Sequence, residues 1–117
     1  MRIRLKRVYD DASEDDGQRV LVDRIWPRGL SKAKADIDHW AKETAPSNEL
    51  RRWFNHDPKR WSGFQTRYRK ELDANPEAVD ELKNKIKRGK VTFVYAARDT
   101  EHNQAIVLAN YLSNVGR

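Results

Sequence analysis

The chain has 117 residues, a length that fits one domain and supports a core without disulfide or metal staples. It holds no cysteine, which excludes disulfides, thiolate metal centres and cysteine nucleophiles and fits a reducing cytoplasm better than secretion. Its 24 basic against 18 acidic residues leave a formal charge of +6, which favours acidic partners such as phosphates, nucleotides or nucleic acid.

The first residues, Met1-Arg2-Ile3-Arg4-Leu5-Lys6-Arg7, are basic but lack the apolar stretch and cleavage site of a signal peptide. No apolar run approaches the roughly 20 residues that span a bilayer, so a cytoplasmic protein with no membrane partner is expected. Ile3 and Leu5 alternate with Arg4 and Lys6, and this period of two predicts a strand over residues 2–8. The acidic stretch 10–17 does not fit a calcium loop. With Gly17 at the glycine position, the first ligand position falls on Ala12. It reads as a solvated turn.

Val20-Leu21-Val22 resumes a strand, and Ser31 is placed to cap a short helical turn through Lys34. Residues 36–40 fit a further strand or irregular chain. Ser47 ahead of Asn48-Glu49-Leu50 has the form of an N-cap with an acidic first turn, and Asp57-Pro58 and Asn75-Pro76 repeat the device. Trp61, Phe64, Tyr68 and Leu72, and then Val79, Leu82 and Ile86, recur at helical spacing and should face a core, with Gly89 as a stop. Val91-Thr92-Phe93-Val94-Tyr95 is an unbroken run of the kind found in strands buried on both faces. The last helix is expected to take Asp99 or Thr100 as its cap and to bury Ala105, Leu108, Ala109 and Leu112. The expected fold is α/β, a single compact domain over residues 1–117 with a small, mostly parallel sheet flanked by helices.

Functional groups in such folds gather beyond the carboxyl ends of parallel strands. Two segments have that form. In Arg24-Ile25-Trp26-Pro27-Arg28-Gly29, proline and glycine shape a turn on which Arg24 and Arg28 can grip a carboxylate or phosphate beside the Trp26 wall. The same arginines can equally bridge buried acids such as Asp23, Asp36 or Asp38 and only brace the turn. In Tyr95-Ala96-Ala97-Arg98-Asp99-Thr100-Glu101-His102-Asn103, small alanines allow close approach, and the helix start offers free N–H groups to an anion. His102 is the proton-transfer candidate there, with Asp99 beside it, and Asn103 is a binding or hydrogen-bonding side chain. His56, ahead of the Asp57 cap, either closes its loop or enters the pocket.

Glycine-rich phosphate loops, His-Glu-x-x-His and Gly-x-Ser-x-Gly are all absent. The three histidines, His39, His56 and His102, stand at no metal-binding helical spacing, although one axial histidine suffices for a haem.

The segments Val20-Leu21-Val22-Asp23-Arg24-Ile25-Trp26-Pro27-Arg28-Gly29-Leu30-Ser31, Ala45-Pro46-Ser47, Leu50-Arg51-Arg52-Trp53-Phe54, His56-Asp57-Pro58, Tyr95-Ala96-Ala97-Arg98-Asp99 and Glu101-His102-Asn103 carry a resemblance that runs nearly end to end. The chain resembles the YeaO-like family of small bacterial proteins, the domain of unknown function 488. The resemblance implies a compact intracellular α/β protein and brings no catalytic assignment with it. It implies that Arg24, Trp26, Arg28, His56, Asp57, His102 and Asn103 belong to the family's distinctive motifs. Arg98 stands where the family also carries lysine, which makes it a provider of charge.

The leading expectation is a crevice for a small anionic ligand bearing phosphate or carboxylate. Arg24, Arg28, Arg98, His56 and Asn103 would bind it and Trp26 and Tyr95 would wall it, with His102 and Asp99 available for acid–base or hydrolytic chemistry. The alternatives are a nucleic-acid-binding module that uses Arg2, Arg4, Lys6, Arg7 and residues 83–90, and a haem- or metal-binding protein. The cofactor, the reaction and the oligomeric state are left open by the sequence.

Overall fold

A computed structural model describes residues 2–114. Four strands, β1 (Ile3–Arg7), β2 (Gln18–Leu21), β3 (His39–Trp40) and β4 (Val91–Tyr95), form one sheet in the order β1-β4-β2-β3. All three pairings are parallel, where the sequence implies a mostly parallel sheet. The central pair runs in register from Gln18 opposite Val91 to Leu21 opposite Val94. The β-branched and aromatic run 91–95 occupies the middle of the sheet, and each of its residues is buried.

The helices are α1 (Lys32–Ala35), α2 (Asn48–Phe54), α3 (Trp61–Asp73), α4 (Pro76–Ile86) and α5 (Gln104–Asn114). Strand alternation divides the core into two parts. Val20, Val22, Val91, Phe93 and Tyr95 join the large cluster, in which Phe54, Phe64, Tyr68, Leu72, Val79, Leu82, Ile86 and Leu108 are buried. Leu21 and Val94 point the other way and pack with Val8, Ala35, Trp26, Leu30 and Ile37, under little more than α1 and the 22–31 loop.

Local chemistry explains most helix starts. The Ser31 hydroxyl accepts the N–H of Lys34, and the Ser47 hydroxyl accepts that of Leu50, each an N-cap. Ser47 is itself fixed by Glu71, whose carboxylate receives its N–H at 2.9 Å and its hydroxyl at 2.6 Å. Asp57 caps only a 3₁₀ turn, Pro58–Arg60, from which α3 continues. Asn75 departs from its expected role. Its side chain makes no cap and instead donates to the Glu43 carbonyl across the structure.

The final helix also starts later than expected. Asp99 caps the turn before it, and Asn103 Oδ1 accepts the N–H of Ile106 to cap α5 itself.

Asp16 and Arg19 form a buried pair beneath the sheet's second face, with Arg19 Nη1 2.6 Å from Asp16 Oδ2. Arg19 also donates to the carbonyls of Ala35 and Asp36, so the hinge after α1 is tied to β2. Burial pushes the Asp16 carboxyl up, but the Ser13 N–H, Arg19 and Lys6 together hold it below the ordinary carboxylate value. Gly17, between them, has φ of +63°, and a Cβ there would meet the Lys90 backbone.

Candidate functional site

Because β2 and β4 are parallel neighbours, the chain leaves both strands at the same end of the sheet. There the segments after them meet α2 and α3 around a crevice of about 680 Å³. Asp23 lies where β2 ends. Its Oδ2 accepts the Ala96 N–H at 3.0 Å and its Oδ1 accepts from the Gln104 side chain. Burial pushes its carboxyl up to about 6, against the lowering effects of the Ala96 N–H, Arg51 and Gln104.

Arg24, Arg51, Arg52 and Arg98 line the crevice. Arg24 serves as a brace, since its Nε donates to the Pro46 carbonyl and its Nη2 to the Ala45 carbonyl, each at 2.8 Å. These bonds join the 24–28 turn to the start of α2. They run to carbonyl groups, not to the buried acids that bracing was expected to use. Arg51 is held by Asn48 through one Nη at 3.0 Å. Among the described residues, Arg52 and Arg98 take part in no hydrogen bond or ion pair, and both are exposed.

On the opposite wall, Asp99 Oδ1 accepts the N–H groups of Glu101 and His102, and its Oδ2 lies 2.9 Å from His102 Nδ1. The Glu101 N–H foremost, against the raising effect of burial and with help from His102, holds the Asp99 carboxyl below its usual value. The His102 ring stands edge-on to Trp61 at 5.3 Å, so α3 fixes its plane. His102 precedes α5 and does not lie in its first turn, as the sequence had implied. Three of the backbone donors ahead of and within the first turn of α5, those of Glu101, His102 and Ile106, are occupied by Asp99 and Asn103.

His56 reaches the crevice from the end of α2, where Asn55 and His56 both adopt the left-handed region, with φ of 47° and 53°. Two consecutive non-glycine residues in that region place strain at the rim. Ile25, Pro46, Phe54, Phe64, Ala96 and Ala97 supply an apolar wall. Ile25 is 57% exposed at its edge.

Four sequence candidates lie outside the crevice. Trp26 donates its indole N–H to the Leu30 carbonyl and packs edge-on to Trp40 on the sheet's second face. Arg28 is exposed, and its carbonyl accepts the Tyr9 hydroxyl at 2.9 Å. Tyr95 points into the large core, where burial, opposed by Arg7, raises its hydroxyl. Asn103 is buried as the α5 cap and donates to the Asp99 carbonyl. The 24–28 turn therefore lends only its beginning to the site, because the chain after Ile25 crosses to the other face.

Sequence reasoning passed over Asp23, Arg51, Arg52 and Gln104 as crevice residues. A carboxylate directly after a buried parallel strand was the available signal for Asp23. Arg51 and Arg52 carried no signal of a binding role beyond charge on a short helix and a place in one of the segments of the family resemblance. Among the described residues, no group of three or more His, Cys, Asp or Glu side chains converges as a metal site would require. No helix there is long and apolar enough to cross a membrane.

The model of the inactive DUF488-N3 subclade matches residues 2–115. The chain is 46% identical over 112 residues to the uncharacterized protein Rv3073c of Mycobacterium tuberculosis (strain H37Rv), covering 96% of this chain and 94% of that one. The uncharacterized protein Mb3100c of Mycobacterium bovis matches to the same extent. Identity to the uncharacterized protein YeaO of Escherichia coli K12 is 40% over 115 residues, 98% of this chain and 100% of the other. No solved structure matches the chain significantly. The family-model match and the identity over nearly the full length make this chain a member of the YeaO-like DUF488 family, within the subclade described as inactive DUF488-N3.

Proposed function

We propose that the crevice binds a small anionic ligand, a phosphate or a carboxylate, without transforming it. The carrying observation is that four arginines line it while Arg52 and Arg98 have no internal partner among the described residues. Asp99 is engaged by His102 and two backbone N–H groups, so its charge is largely answered already. An exposed guanidinium pair beside a partly dehydrated wall suits an oxyanion through paired hydrogen bonds. Binding without turnover also agrees with the word that describes the subclade.

General acid–base transfer is the second reading, favoured by one contact. Asp99 orients the His102 ring through Nδ1 and leaves Nε2 directed elsewhere, the arrangement in which a carboxylate supports a histidine base. The nucleic-acid reading finds many of its donors already engaged internally. Arg4 donates to the Asp15 carbonyl, Lys6 to Asp11 and Asp16, and Arg7 to the carbonyls of Ala96 and Ala97.

Thermal denaturation with and without inorganic phosphate tests the proposal. Phosphate should raise the melting temperature of the unaltered protein, and the double variant Arg52→Ala/Arg98→Ala should abolish the rise. An equal rise in both proteins would place the anion elsewhere.

A further inference from the structure

We infer that the ligand is a phosphate monoester carrying a heteroaromatic ring with N–H donors, a molecule of the mononucleotide class, laid across the crevice from the arginine rim to Asp23. The inference rests on the anion reading and adds to it the chemistry of the ligand's other end.

Three features carry it. The crevice, at about 680 Å³, lies within the roughly 300–1,000 Å³ of sites for drug-sized ligands, far beyond the needs of a lone oxyanion. Its polarity is also divided. The cations Arg51, Arg52 and Arg98 are exposed at the rim, whereas Asp23 is set back at the strand ends. Between them Ile25, Pro46, Phe54 and Phe64 present apolar side chains, and the Pro46 carbonyl is already taken by Arg24.

Asp23 supplies the recognition at the inner end. Its two oxygens accept one internal N–H each, from Ala96 and Gln104, and a carboxylate has about four lone-pair positions. Acceptor capacity therefore remains for a ligand N–H. A far end bearing only acceptors or a second negative charge would meet a carboxylate there and be repelled. A ring bearing an amino or imino N–H meets a partner, and a flat ring matches an apolar wall with guanidinium planes beside it.

Arg51 and Gln104 act on Asp23 directly, and the other titratable or charged side chains lining the crevice are Arg24, Arg52, His56, Arg98, Asp99 and His102.

The test is calorimetric titration of the full chain with adenosine monophosphate, guanosine monophosphate, ribose 5-phosphate and adenosine, each also against Asp23→Asn and Ile25→Ser. At least one mononucleotide should bind about ten-fold or more tightly than ribose 5-phosphate, the equivalent of one good buried hydrogen bond plus ring contact. Asp23→Asn should erase most of that advantage and leave ribose 5-phosphate unchanged. Ile25→Ser, on an exposed side chain whose loss does not threaten the fold, should weaken the mononucleotide alone. Equal affinity for both mononucleotides and ribose 5-phosphate would overturn the inference and leave the anion reading standing. Adenosine bound as tightly as its monophosphate, or no binding by any of the four, would overturn both.

Discussion

Asp23 Oδ2 receives the backbone N–H of Ala96 at 3.0 Å and thereby locks the carboxyl end of β2 to that of β4. Strand order alone makes these ends neighbours, but this bond fixes the spacing of the two segments that leave them. The same carboxylate accepts from Gln104 at the start of α5, so one side chain joins strand, turn and helix. A group used so centrally, and set back from water, affects both stability and binding.

The Asp23 carboxyl loses its proton near 3.8 in the unfolded chain and near about 6 in the fold. Between those values the folded state holds the extra proton, so stability is greatest below the unfolded value and falls as pH rises to about 6. The full fall is on the order of 2–3 kcal/mol. Asp23→Asn should flatten this part of a chemical-denaturation profile, and an unchanged slope would contradict the burial assigned to Asp23.

Asp16 works in the opposite direction. Its carboxyl is held below 3.8 in the fold, so the stability it contributes is present above that value and is lost as pH falls through the folded one. Removing Arg19 leaves the buried Asp16 charge answered only by Lys6 and the Ser13 N–H, and Arg19→Met should destabilise by about 3 kcal/mol. Urea denaturation at neutral pH reads this directly. A loss under about 1 kcal/mol would mean that the pair is as weak as an exposed salt bridge.

His56 has φ of 53° at the crevice rim. Glycine occupies that region without a Cβ penalty, so His56→Gly should stabilise the fold by about 1 kcal/mol. If the imidazole serves the ligand, the same variant should also weaken phosphate binding. Stabilisation with unaltered binding would make His56 a scaffold residue alone.

Arg28 provides the contrasting case. It lies outside the crevice, so Arg28→Ala should leave the phosphate-induced rise in melting temperature intact while Arg52→Ala/Arg98→Ala removes it. Parallel thermal scans decide between them. Loss of the rise in Arg28→Ala would return the site to the 24–28 turn.

The fold was largely legible because its signals are local. Period-two alternation marks β1, the Ser31 and Ser47 caps mark α1 and α2, and the apolar run 91–95 marks the central strand. The start of α5 was misread because Asp99, Thr100 and Asn103 are all competent caps, and only tertiary context selects Asn103. The site was half legible. Arg24, His56, Arg98, Asp99 and His102 do meet at one crevice, because all but His56 follow two neighbouring parallel strands and α2 brings His56 to their ends. Trp26 and Arg28 looked equivalent to Arg24 in sequence, but the turn carries them past the sheet's edge to its second face. Arg51 and Arg52 were invisible because their position depends on how α2 crosses the strand ends, a packing relation with no sequence period.

The central claim is that the rim arginines hold an anion at the carboxyl ends of β2 and β4. Titration of the isotope-labelled protein with inorganic phosphate, followed through backbone amide resonances, tests it most directly. The account predicts saturable shifts at Arg52, Ala96, Ala97, Arg98 and His102, with little change at Arg4, Lys6 or residues 83–90. Shifts concentrated on β1 and the end of α4, with the crevice silent, would contradict it.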